Sequence, residues 1–288
     1  MMSLLFSILC SSLVFFIFRM FPKYGVNTFH AIVFNYLTAF TFGFILYGNE
    51  LNRHSFSGEW PSFALFSGIL FISLFVVMGL SSQQNGVATT SIATKMSLAF
   101  SLLLMCFLYN EPPIALKLIG ISLAFPGIFF VSWNGKSSEY TTHSRWMLLL
   151  LFFGSGILDL VLNYVQKYHL QNLSTSLFSA FCLGVAGIIG FLIMLIQILA
   201  GNVRFQNKDI LAGIVLGIPN YFSIFLLMQS YSSTGWNDTT VLAITNISVV
   251  LISSIIGFII FKESVNRYKI AGLITVISAI LVLYFADN

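Results

Sequence analysis

Apolar positions run through this chain in long unbroken stretches, and polar or charged residues are confined to the short gaps between them. Ten such stretches stand out: Met2 to Met20, Val26 to Tyr47, Ser62 to Ser82, Val87 to Tyr109, Pro113 to Trp133, Trp146 to Val165, Thr175 to Leu199, Ile210 to Ser230, Thr239 to Phe261 and Tyr268 to Phe285. About 20 residues at 1.5 Å each match the roughly 30 Å hydrocarbon layer of a bilayer. Backbone in that layer must satisfy its own hydrogen bonds, which leaves helices or closed barrels. Barrel strands would show about ten residues of alternating polarity, and these runs show none. The pattern therefore predicts an all-α polytopic membrane protein with ten transmembrane helices. The spans nearly exhaust the 288 residues, so no extramembrane catalytic lobe is expected. Met1 to Cys10 has no basic segment, and no small-residue cleavage site precedes Phe18, so the first stretch is expected to be a retained span.

The chain also repeats itself. Glu111, Lys117 and Gly120 recur as Glu263, Lys269 and Gly272 at one offset, 263 − 111 = 152, at the starts of spans five and ten. Lys23-Tyr24 after span one recurs as Lys167-Tyr168 after span six, at 167 − 23 = 144. Two five-span halves, residues 1–134 and 144–288, account for this. Because five is odd, the second half enters the membrane from the opposite side, giving inverted repeats of the kind that build many secondary transporters.

Composition sharpens the class. Hydrophobic residues make up 58% of the chain and charged ones 8%, against about a quarter charged in soluble domains. Mean hydropathy is +0.94. The net charge of +4 comes from basic residues placed singly at span ends, which fits bilayer-surface anchoring and topology and argues against a nucleic-acid partner. Cys10, Cys106 and Cys182 all fall in apolar segments at no metal-ligand spacing and are expected to pack or face lipid. Trp60, Trp133, Trp146 and Trp236 fall at predicted span ends, where indole sits at the membrane surface. Most basic residues flank the gaps after spans one, five, seven and nine, which by the positive-inside rule would put both termini outside.

Lys95 and Asp159 are the charged side chains deep inside spans. Each costs about 2.5 to 3.5 kcal/mol at mid-bilayer on insertion scales, so each should face the interior, water or the other. Lys95 lies beside Ser91 and Thr94, with Ser101 two turns beyond Thr94; Ser155, Asp159 and Asn163 form a stripe spaced by four on span six. Lys95 could hold a carboxylate or other anion and Asp159 an amine or proton. The bland alternative is a structural pair or a snorkelled lysine. Aligned from the two acidic motifs, Lys95 corresponds to Asn246 of span nine, either a site amide or interhelical glue. Pro219-Asn220-Tyr221 sits at the centre of span eight, where proline frees the Val215 carbonyl and makes Asn220 a further candidate. Glu111 and Glu263 are expected to stabilise the starts of spans five and ten. Gly184, Gly187 and Gly190 of span seven, with Gly213 and Gly217 of span eight, are expected to permit close helix approach.

The segments Asn-Glu-Pro-Pro-Ile-Ala-Leu-Lys-Leu-Ile-Gly at 110–120 and Lys-Glu-Ser-Val-Asn-Arg-Tyr-Lys-Ile-Ala-Gly at 262–272 resemble the paired signatures of the drug/metabolite transporter superfamily, specifically its EamA-type ten-helix members. Family members often carry a proline in the span-four segment before the acidic residue; this chain reads Lys95-Met96-Ser97-Leu98. The resemblance implies a central cavity lined by spans one, three, four, six, eight and nine, peripheral spans five and ten, and termini inside, against the charge count. It points to a bacterial inner membrane. His30, His54, His143 and His169 lie near predicted span ends or in loops, and no H-E-x-x-H, G-x-S-x-G or Walker glycine loop is present. The expectation is a gradient-driven transporter, not an enzyme, working by alternating access on a small polar metabolite such as an amino acid or sugar. It would need no cofactor and would leave room for proton or other ion coupling, with cargo, direction and oligomeric state open. Rivals are a membrane-embedded lipid-active enzyme and a non-transporting scaffold or receptor with a dry interior.

Overall fold

The computed structural model describes residues 2–51, 58–108, 115–132, 142–170, 173–201, 206–236 and 238–286. Among them the chain is all-α, with ten α-helices: α1 Met2–Tyr24, α2 Thr28–Tyr47, α3 Trp60–Gln84, α4 Val87–Leu108, α5 Ala115–Ser132, α6 Thr142–Tyr168, α7 Thr175–Leu199, α8 Asn207–Ser233, α9 Asp238–Ile255 and α10 Arg267–Ala286. A 3-10 turn, Gly48–Glu50, follows α2, and a π-helical turn, Ile256–Ile260, continues α9. Each predicted stretch coincides with one helix. Among the described residues seven helices, α1 to α4 and α6 to α8, are long and apolar enough to cross a membrane; the apolar part of the α9 region, Ile244–Ile260, is shorter. The protein is an integral membrane protein, and large apolar side chains such as Ile45, Ile196 and Leu199 stand 70%, 66% and 79% exposed.

The chain divides into two compact units, each drawing on both halves of the sequence. The first comprises residues 1–19, 77–160 and 223–288. Here α5 packs along α10 and α4 against α9. Ile92, Met96 and Ala99 of α4, Phe152 of α6, Val250 of α9, and Val276, Ala279 and Ile280 of α10 form its buried core. Of the seven apolar helices α4 is the most deeply enclosed, and it is the one that carries Lys95.

In the same unit Glu263 departs from its expected role. Instead of serving α10, which starts four residues later, its Oε1 accepts the backbone N–H of Val87 at 2.6 Å, the first residue of α4. A carboxylate is favoured at that positive helix end. The cradle is made by two glycines: a Cβ at Gly86 would lie 2.5 Å from Glu263 Oε2, and one at Gly257 2.7 Å. Gly86 also has φ +92°, which disfavours any side chain. Gly86→Ala should therefore expel the carboxylate and lower the thermal midpoint, by about 2 kcal/mol from lost cap and strained backbone together. Glu263→Gln, which keeps the volume, should cost about half as much. Equal midpoints for Gly86→Ala and wild type would contradict this. Glu111 lies outside the described residues.

The second unit comprises residues 20–76 and 161–222. In it α2 packs along α7, where Gly190 meets Val33, Gly187 meets Leu37 and Gly184 meets Phe40, so the two helices run antiparallel. Gly213 and Gly217 of α8 press on the other contacts of α2, at Ala31, Phe34, Asn35 and Thr38. The expectation of close packing at all five glycines is met. Without side chains there the backbones approach closely, which is how helices associate where lipid removes the hydrophobic drive. Trp60 differs from expectation: it is 3% exposed and packs edge-on to Phe178 and beside Phe181, because α3 begins inside an apolar cluster with Val165, Leu173 and Cys182. Trp146 and Trp236 are exposed, and Trp133 lies outside the described residues.

Candidate functional site

Lys95 and Asp159 both belong to the first unit, on α4 and α6. The hydroxyls around Lys95 mostly serve their own helix. Ser91 donates to Ala88 O at 2.9 Å, Thr94 to Thr90 O at 2.9 Å and Ser101 to Leu98 O at 2.9 Å. Such back-bonding removes the cost of burying a hydroxyl in an apolar helix. Ser97 does more: its Oγ lies 2.7 Å from Thr94 O and 3.3 Å from Asp159 Oδ2, so its one proton is shared between them.

Asp159 is exposed although it sits in the middle of α6. The lipid-type face of that helix is marked by Trp146, Leu150, Phe153 and Ile157, all exposed and spaced by four, three and four. At about 100° per residue Asp159 stands about 200° round from Ile157, on the opposite side from that face. Asp159 therefore lies on the side of α6 that carries the buried Leu148, Phe152 and Ser155. Lys95 is half-buried, and its ammonium makes no hydrogen bond and no direct ion pair among the described residues. The two charges lie within range of each other's field. On α4, Lys95 and the Asp159-bound Ser97 project about 160° apart around one side, and Ser91, Thr94 and Ser101 fall between them. An ammonium and a carboxylate thus flank a hydroxyl-lined strip without collapsing into a pair.

Asn246 of α9 lies in the same unit, 5% exposed. The other two candidates belong to the second unit. Asn163 is exposed, one turn beyond Asp159 along α6. Asn220 is buried and donates from Nδ2 to Asn35 Oδ1 at 3.1 Å, across the α2–α8 contact. Pro219 leaves α8 as one helix from Asn207 to Ser233, so no break opens beside Asn220. Ser97 is the residue that sequence reasoning missed, because it projects away from the Lys95 face. The available signal was Asp159 itself, a mid-span carboxylate that calls for a hydrogen-bond donor on a neighbouring helix. Among the described residues no group of three or more His, Cys, Asp or Glu could hold a metal.

No family model matches the chain. An uncharacterized protein of Haemophilus influenzae is 30% identical over 295 residues, with 100% of this chain and 99% of that protein covered. The chain belongs to the same family as that protein. A solved crystal structure of another protein superposes with a TM-score of 0.58 at 11% identity, covering 98% of this chain and 99% of that one. At that identity the likeness concerns the fold.

Proposed function

We propose that this protein is a gradient-driven secondary transporter of the EamA type, built of ten transmembrane helices in two inverted five-helix repeats and moving a small polar metabolite by alternating access. One observation carries the reading: a mid-span ammonium and a mid-span carboxylate, on α4 and α6 of one compact unit, feel each other's charge without forming a direct ion pair. Charges at that depth are costly and are kept where something polar meets them. A zwitterion such as an amino acid has the matching chemistry, its carboxylate toward Lys95 and its amine toward Asp159, with Asn246 as a further amide. The repeat reading is supported by helix partnership, since α5 packs on α10, α4 on α9 and α2 on α7, each with the helix five places later. A dry scaffold would instead call for Lys95 and Asp159 held as a direct ion pair.

The test begins with metabolite profiles of a deletion strain and an overexpressing strain, which should differ in a small polar solute, and continues with counterflow of that solute in proteoliposomes. No difference in any polar metabolite and no counterflow of amino acids or sugars would sink the reading.

A further inference from the structure

The second unit holds ionisable groups that the Lys95–Asp159 site does not use. In the first turn of α2, His30 is 0% exposed, and its Nδ1 lies 3.3 Å from Oδ2 of Asp209, 1% exposed, in the first turn of α8. The other oxygen of Asp209 accepts the Asn27 N–H at 2.9 Å. His30 Nε2 is buried with no partner. A second pair stands at the far end of α2. His169, in the turn after α6, places Nδ1 3.7 Å from Oε2 of Glu59, just before α3; the side chains are 19% and 77% exposed. His169 Nε2 is again buried without a partner. The 20 residues of α2 separate the two places by about 30 Å.

The pairs mirror each other across the sequence. Each joins a histidine near the connection between the first two helices of one half to an acid at the start of the third helix of the other half. One is closed and sealed; the other is loose, with its carboxylate exposed and the imidazole edge that faces it partly so.

We propose that His30–Asp209 and His169–Glu59 are two proton-binding sites exposed in turn at opposite ends of this unit, and that they couple transport to protons. This rests on the transporter reading above. At the loose end, in the Nε2–H tautomer, a lone pair on His169 Nδ1 faces the exposed Glu59 across 3.7 Å. A hydronium ion gives its proton to that lone pair, its O–H bond breaks and water leaves, and the imidazolium now faces a carboxylate at short range. At the loose end the added charge draws Glu59 in and closes the pair. The inverted halves then exchange roles, and the His30 end opens and trades its proton with the other side. Among the described residues, the titratable groups around His30 besides Asp209 are Lys208 on α8 and Lys23 and Tyr24 at the end of α1; α7, and α3 through Val76, carry no charge. Among the described residues around His169 they are Glu59, Tyr164, Lys167 and Tyr168, with Tyr47 and Glu50 at the end of α2 and beyond it. Asp209 and Glu59 are thus the acids placed at contact distance of the two imidazoles.

Hydrogen exchange of the full-length protein in lipid nanodiscs, with no cargo, tests this by comparing about pH 8 with about pH 5. After correction for intrinsic rates, acidification should raise protection over 164–170 and lower it over 26–31, each by about fivefold or more. His169→Gln should keep the pH 8 pattern and lose the redistribution, and His30→Gln should exchange fast over 26–31 at both pH values. Unchanged protection, changes of the same sign at both ends, or a redistribution that survives His169→Gln would overturn the proposal. The wild-type comparison decides alone if a variant fails to fold. A pH-insensitive protein whose flux still requires Lys95 and Asp159 sinks the proton sites and spares the transporter reading. Wild-type flux without those two charges sinks the reading itself.

Discussion

Lys95→Met and Asp159→Asn are each expected to cut flux about 10- to 100-fold while leaving membrane insertion and thermal midpoint close to wild type. Hydrogen bonds to charged groups contribute about 1.5 to 3 kcal/mol, and 1.4 kcal/mol is tenfold. Stability should be spared because neither charge is half of a contact pair whose removal strands a partner. Asp159 holds only the shared Ser97 proton, which retains Thr94 O as an acceptor. Ser97→Ala should accordingly have a smaller effect than Asp159→Asn, since it removes a positioning hydroxyl and leaves the charge. The decisive measurement is initial counterflow in proteoliposomes reconstituted at equal protein content. If the structural reading of the pair were correct instead, both variants would lose stability and those that folded would transport at the wild-type rate.

Among the described glycines compared, Gly213→Ala should be the most damaging added methyl group. Its Cβ would lie 2.3 Å from Phe34 Cβ and 2.7 Å from the Ala31 carbonyl oxygen, so α2 and α8 must separate. Rigid backbone and a Cβ cannot swing aside as a side-chain tip can. Overpacking costs about 1–3 kcal/mol, occasionally more, and the upper end applies here. Separation would also break the Asn220 to Asn35 hydrogen bond, 3.1 Å long and buried, and loosen the seat of His30 one turn earlier on α2. Ile214→Ala, beside it but 39% exposed on the outer face, serves as the control and should change the midpoint by less than about 0.5 kcal/mol. A thermal-shift series in detergent that ranks the two variants equally would contradict this packing account.

The two glycine sites illustrate what could be foreseen. That Gly213 and Gly217 lie one turn apart in an apolar helix is visible in the chain, and close packing follows from it. That α2 is the partner is not visible, because no residue of α2 advertises a groove. Glu263 shows the same division: a carboxylate among a proline-poor, glycine-containing connection suggests a helix start nearby, yet the helix it serves is α4, 176 residues away in sequence. His30 looked like a span-end residue and proves to be fully enclosed, since its acid arrives from α8.

Hydropathy by itself determined the order and approximate position of the helices, because bilayer thickness acts on each span separately and leaves its length in the local pattern, but not their ends, several of which differ by three to six residues. Only the tertiary structure decided which way those side chains face, that Ser97 holds Asp159, that Glu263 seats on Val87, and that the two contact units interleave both halves of the chain. These depend on contacts between residues far apart in sequence. Every lipid-compatible helix surface is similarly apolar, so the pattern within one span carries no record of the neighbour it meets.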